Sequence, residues 1–224
     1  MTNTAFAFWN SSWAGFSPTS RRFDRYCKRA FDIFAASCAI LLAAPLFLLL
    51  SLFVRRDGGP AYFAQERIGR SGVRFRCYKF RSMRLDAQET LARYLAENPG
   101  AAEEWATYQK LKNDVRITTV GHFLRRTSLD ELPQFWNVLK GDMSMVGPRP
   151  ILPGQEHYYG ARLILYESVR PGLTGPWQVG GRNALSFYER VRLESGYVYH
   201  RNFWLDLKIV VKTLPTMLNR GQAF

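Results

Sequence analysis

Positions 33 to 54 read IFAASCAILLAAPLFLLLSLFV and carry no charged side chain. At ~1.5 Å per residue a helix of that length reaches about 33 Å, enough for a hydrocarbon core of about 30 Å. Pro45 interrupts the run, and proline deletes a backbone donor while crowding the carbonyl one turn earlier. Basic residues flank it on both sides: Arg21, Arg22, Arg25, Lys28 and Arg29 precede it, and Arg55 and Arg56 follow. Lys and Arg favour the cytoplasmic side of a membrane, and here they pull both ends the same way. The pattern predicts a re-entrant helix-break-helix over residues 21–56 that dips into one leaflet, turns at Pro45 and returns. A plain spanning helix is the alternative, because membrane helices tolerate proline.

Beyond the run the periodicity changes. Arg55-Arg56-Asp57-Gly58-Gly59-Pro60 is a turn by composition. Ala61–Ile68 and Val73–Phe80 alternate as two strands around Gly69-Arg70-Ser71-Gly72, which predicts a β-hairpin. Asp86–Glu97 and Ala101–Lys112 have helical period and are split by Asn98-Pro99-Gly100. Phe203–Arg220 places Phe203, Trp204, Leu207, Val210, Val211, Leu214, Met217 and Leu218 on one side of a helix. Such a face suits a core or a membrane interface. The interface is favoured beside the apolar run, and Pro215 is expected to kink or end the helix.

Candidate reactive groups concentrate in Leu124-Arg-Arg-Thr-Ser-Leu-Asp-Glu-Leu-Pro133. Ser128-Leu-Asp-Glu131 fits a capping box, and acidic residues belong in a first helical turn. On that reading Asp130 and Glu131 are structural. The same two carboxylates could instead hold Mg²⁺ or attack an electrophile, with Arg125 and Arg126 meeting phosphoryl charge. Downstream, Gly147-Pro148-Arg149-Pro150 presents an arginine rigidly, since the residue before a proline is held extended. Arg170–Asn183 is a second irregular run in which Trp177 could stack on a base or anchor the loop. Lys79 and Arg81 belong to a hairpin dense in Lys and Arg, whose guanidinium groups match phosphate oxygens.

Composition narrows the partners. The chain has 224 residues, 47% of them hydrophobic, which allows a real core and excludes disorder along the whole length. Its net charge of +13 calls for an anionic partner. Next to an apolar run, a lipid surface or phosphorylated substrate fits better than nucleic acid. Three scattered cysteines, Cys27, Cys38 and Cys77, argue against a disulfide scaffold. Residues 1–20 have no signal-peptide pattern and are expected to form a poorly ordered tail.

Several stretches resemble, in consistent order, the bacterial sugar transferases of the monotopic polyprenol-phosphate phosphoglycosyl transferase family. They are KRAFD at 28–32, the apolar run with Pro45, GGPAYFAQERIG at 58–69 and FRCYKFRSM at 75–83. LRRTSLDELPQFWNVLKGDMSMVGPRP at 124–150, RPGLTGPWQVGGRN at 170–183 and DLKIVVKTL at 206–214 continue the series. The resemblance covers about residues 22–220 and looks most like the exopolysaccharide-priming, undecaprenyl-phosphate galactose phosphotransferase-like members.

It implies an α+β, mostly helical fold: a disordered tail over 1–20, the re-entrant membrane helix over 21–56, and a cytoplasmic catalytic domain over 57–224 with interfacial amphipathic helices. It implies transfer of a hexose 1-phosphate from a UDP-sugar to undecaprenyl phosphate, with release of UMP. In that scheme Asp130 is the covalent nucleophile, Glu131 (with Asp130) holds Mg²⁺, and Arg149, Arg125, Lys79 and Arg81 bind substrate phosphate. The expected site is the cytoplasmic face of the bacterial inner membrane, with membrane lipids as partners and no nucleic acid. Two departures stand out: Ala44 replaces the serine many members place before the membrane proline, and Asp114-Val115-Arg116 replaces Asp-Pro-Arg. The rival readings are a membrane-anchored export adaptor without chemistry and a glycosyltransferase that would release UDP.

Overall fold

The structure is a computed structural model that describes residues 21–108, 111–181 and 185–218. The tail expected over 1–20 lies outside the described residues, as do Arg182 and Asn183 of the second irregular run. The fold is mostly helical, with one long apolar helix at its start and two small two-stranded sheets. Its described residues fall into two compact units. One is drawn from the chain up to Ala43, Ala64–Tyr78 and the chain from Gln134; the other from Ala44–Phe63 and Lys79–Pro133.

Helix α1, Arg21–Val54, includes the basic flank and passes through Pro45 without interruption. The two separate helices expected around a break at Pro45 are therefore a single element. Loss of one N–H removes one rung of the ladder, and the neighbouring rungs keep the helix in register. Residues 25–57 form one helical stretch long and apolar enough to cross a membrane. Phe34, Leu41, Leu42, Leu48 and Leu52 are exposed along it. β1 (Tyr62–Ile68) and β2 (Arg74–Phe80) pair within a residue of the predicted strands. The predicted helical pair is also present, as α2 (Ala87–Glu97) and α3 (Pro99–Tyr108).

In the unit containing the LDEL stretch, α4 (Thr119–Thr127) packs Leu124 and Val120 against Leu50, Val54 and Phe80. Leu129 and Leu132 join the same cluster. Leu129 and Leu132 are partly buried, so each contributes less than the roughly 1.5–3 kcal/mol of a fully buried aliphatic side chain. The two leucines thus pin the turn from both sides of Asp130-Glu131.

The other unit contains α5 (Gln134–Lys140), β3 (Ser144–Val146), α6 (Leu163–Glu167), β4 (Gly172–Thr174), α7 (Pro176–Gly180), α8 (Phe187–His200) and α9 (Phe203–Leu218). β3 and β4 pair in parallel, Ser144 opposite Gly172 and Val146 opposite Thr174. This second sheet falls in segments that read as irregular from sequence, because strands of three residues are too short to show alternation. A Cβ on Gly172 would come within 2.1 Å of the Gly147 nitrogen, so only glycine permits that approach.

α9 has one buried and one exposed apolar face. Leu205 and Ile209 are buried in a cluster with Val146, Leu193 and Tyr197, while Trp204, Val211 and Leu214 are exposed. The helix runs past Pro215 to Leu218 rather than ending there. Asp206, on the same helix, is buried and accepts from Lys28 (2.6 Å) and from the Tyr197 hydroxyl (2.6 Å).

Candidate active site

Three segments converge on Asp130. The chain after β2 pairs with the approach to α4: Thr118 N–H donates to the Ser82 carbonyl (3.1 Å) and Arg84 N–H to the Arg116 carbonyl (2.9 Å). Thr118 caps α4 by accepting from Gly121 N–H (2.9 Å). A Cβ on Gly121 would lie 1.9 Å from the Ser82 carbonyl oxygen, so glycine lets the helix close onto that segment. Arg125 then points back one turn later, its Nε–H donating to Ser82 Oγ (2.9 Å).

The dyad occupies a single 3₁₀ turn, Leu129–Glu131. The capping box expected at Ser128 is absent. Ser128 ends α4 in the left-handed region (φ 57°), its N–H donating to the carbonyl of Arg125, and its side chain makes no cap hydrogen bond. A helix N-cap needs an extended backbone, which a residue already serving as the C-cap of α4 does not have. Glu131 turns instead to Lys79, whose ammonium lies 2.8 Å from Glu131 Oε1 and 3.6 Å from Asp130 Oδ2.

Asp130 is 8% exposed. Burial raises its proton affinity above that of an ordinary carboxylate, Lys79 pulls the other way, Glu131 adds to the rise, and Arg125 opposes it. Desolvation wins. Arg125 is itself buried enough to shift down from the usual guanidinium value, without ceasing to be a cation. The result is a carboxylate held between two cations, away from bulk water, with a second carboxylate beside it. A carboxylate so placed can act as an oxygen nucleophile, and the neighbouring cations could counter phosphoryl charge.

The dyad also suits a hard cation. Both carboxylates face one ammonium, and Mg²⁺ is commonly held by one or two carboxylates together with substrate phosphates and water. Among the described residues no group of three His, Cys, Asp or Glu comes together.

Arg81 has a different task from the phosphate binding expected of it. Its Nε–H donates to the Pro60 carbonyl (2.8 Å), Nη1 to Asp57 (2.6 Å) and the Met83 carbonyl (3.2 Å), and Nη2 to the Val54 carbonyl (3.0 Å) and Asp57 (2.5 Å). Every guanidinium donor is thus engaged, leaving none to aim at substrate. The Arg81 guanidinium holds the Asp57 carboxyl down at about 2. Arg81 ties the end of α1 to the chain that carries Lys79.

Arg116 forks onto Asp114 at 2.7 and 2.6 Å and lies over the Trp105 ring.

Arg149 belongs to the other unit. Its guanidinium carbon sits 5.3 Å from the Trp177 ring centre, and that of Arg190 lies at the same distance from the same ring. Two guanidinium groups thus lie over the one Trp177 ring. Arg190, Glu194 and Ser82 were not singled out from sequence. The Arg190/Glu194 spacing of four within a helix is a signal the chain carries, and Ser82 lies within the FRCYKFRSM stretch at 75–83.

Comparison with known proteins places the chain. The bacterial sugar transferase family matches residues 23–220, and the chain belongs to that family. It is 48% identical over 205 residues to the undecaprenyl-phosphate galactose phosphotransferase of Salmonella typhimurium, covering 92% of this chain and 43% of the relative. The exopolysaccharide production protein ExoY of Rhizobium meliloti is 46% identical over 87% of each chain. The UDP-glucose:undecaprenyl-phosphate glucose-1-phosphate transferase of Caulobacter vibrioides is 38% identical over 88% of this chain and 72% of the relative. The chain thus spans under half the length of the Salmonella relative.

Proposed function

We propose that this protein transfers a hexose 1-phosphate from a UDP-sugar to undecaprenyl phosphate, with Asp130 as covalent nucleophile. The observation that carries the reading is the buried Asp130 carboxylate set against Lys79 and near Arg125, in a chain whose Salmonella and Caulobacter relatives are named for undecaprenyl phosphate. Asp130 attacks the sugar-bearing phosphorus of the donor. The bond from that phosphorus to the bridging oxygen breaks, UMP leaves with the electron pair, and an aspartyl phosphosugar is left. A phosphate oxygen of the lipid then attacks the same phosphorus, freeing the carboxylate and giving undecaprenyl diphosphosugar. Splitting the transfer lets one site serve two phosphate substrates in turn, with ping-pong kinetics.

Lys79 and Arg125 counter the charge that builds on the phosphoryl oxygens. Glu131 and Asp130 would hold Mg²⁺, which when bound neutralises the donor diphosphate. Arg149 is assigned to substrate phosphate by its match to the family's arginine between prolines. The relatives named for galactose are more similar than the one named for glucose, so galactose is the first sugar to test.

The reading includes a membrane placement at the cytoplasmic face of the bacterial inner membrane, with both ends of α1 on that side. Its support lies at the start of α1. Lys28 Nζ donates to the Val146 carbonyl (2.8 Å), Arg29 to the carbonyls of Val138 (2.7 Å) and Leu139 (2.9 Å), and Asp32 accepts from Met145 N–H (2.9 Å). All of these partners follow α1 in the chain. A helix whose beginning is tied to chain beyond its end suits having both ends at a single face better than passage across.

A panel of UDP-sugars with undecaprenyl phosphate tests the chemistry. UMP and a diphosphate-linked lipid are expected, and Asp130→Asn should release none. UDP as product would make the protein a glycosyltransferase of another kind, and UMP release that survives Asp130→Asn would remove the nucleophile. With donor and no lipid, the intact protein should gain the mass of one phosphohexose.

A further inference from the structure

The Pro148-Arg149-Pro150 loop is gripped by one helix. Glu194 of α8 accepts the Arg149 backbone N–H through Oε1 (2.9 Å), and Arg190 Nη2 donates to the Arg149 carbonyl (3.0 Å). Arg190 Nε–H donates to Glu194 Oε1 (3.1 Å), and the Tyr159 hydroxyl donates to Glu194 Oε2. Glu194 is 1% exposed and Arg190 8%. Trp177 lies against both guanidinium groups, of Arg149 and Arg190.

A buried ion pair is a poor source of stability, because desolvation offsets most of its attraction and well-packed apolar residues often do as well. Here the pair is spent on both backbone groups of one loop residue, which an apolar substitute would leave unsatisfied. Pro150 already restricts the Arg149 backbone to extended conformations. With its N–H and C=O both held, the side chain leaves the loop from a fixed origin. Two guanidinium groups share one indole, and Glu194 offsets the charge of one of them.

We propose that Glu194 and Arg190 are positioning residues that set Arg149 for the donor phosphate. The proposal rests on the role assigned to Arg149 above. Neither residue touches substrate: their effect passes through the loop.

The test is a double-mutant cycle on the full chain, reading steady-state kinetics for donor and lipid separately, with thermal unfolding of every variant. Glu194→Gln should lower kcat/KM for the UDP-sugar by roughly tenfold to a hundredfold, the range a small misplacement of a substrate-binding group produces. Its KM for undecaprenyl phosphate should stay at the wild-type value. In an Arg149→Ala background the same change should cost about twofold or less, since coupled residues are not additive. If Glu194→Gln does not fold, Arg190→Lys carries the cycle: it keeps the charge and loses the fork onto the Arg149 carbonyl. Additive losses, or equal losses for both substrates, would make the pair structural and overturn this proposal alone. Donor kinetics unchanged in Arg149→Ala would remove the phosphate role of Arg149 and the proposal together.

Discussion

Burial raises the proton affinity of Asp130, Lys79 draws it down, Glu131 adds to the rise and Arg125 opposes it; burial prevails, so holding the ionised form costs folding free energy. The sign follows from linkage. A carboxyl whose folded value lies above its unfolded 3.8 binds protons more tightly when folded, so stability falls as pH rises through that window. Asp130→Asn should therefore unfold at a higher temperature than wild type at pH 7. The gap should close as pH drops below the ordinary carboxylate value, and a lower unfolding temperature for Asp130→Asn at pH 7 would contradict this. Removing Lys79 has a matching kinetic consequence: Lys79→Met should move the acid limb of kcat/KM to higher pH, because the cation that favours the ionised form is gone. Arg81 behaves differently. As the tie between the Val54 carbonyl, Asp57 and the chain after β2, it should cost about 2–3 kcal/mol of stability when changed to alanine, discounted for the partial exposure of Asp57.

Helix termini show how a local pattern acquires its meaning from what adjoins it. Ser128-Leu-Asp-Glu131 and Ser186-Phe-Tyr-Glu189 satisfy the same spacing. Only the second is a capping box: Ser186 accepts from Glu189 N–H (3.3 Å), and Glu189 accepts from Ser186 N–H (2.8 Å). Ser186 is extended, whereas Ser128 directly follows α4 and takes the left-handed cap of that helix, which frees Glu131 for Lys79. The start of α1 is anchored by the Lys28–Asp206 pair, with Asp206 buried and also bonded to Tyr197. Lys28→Met leaves that carboxylate without its cation and should cost about 3 kcal/mol. Pairing it with Asp206→Asn should recover part of the loss, as unfolding in detergent would report.

The whole chain carries +13, and its longest apolar element is also its first described one. Cysteines introduced at Tyr26 and Asp57, near the two ends of α1, should both label from the cytoplasmic side in inverted vesicles. Labelling of position 26 from the periplasm would mean a helix that spans. The apolar run, the hairpin, the helical pair and the order of the motifs were all legible in the chain, because each depends on neighbours within a few residues. Which charges meet was not legible. Lys79 finds Glu131 across 52 positions and Glu194 finds Arg149 across 45, and a dense basic sequence offers many equivalent partners until packing selects one. The same holds for the parallel pairing of β3 with β4 and for the buried Asp206: spacing sets the local form of a segment, and contact between distant segments sets what its side chains do.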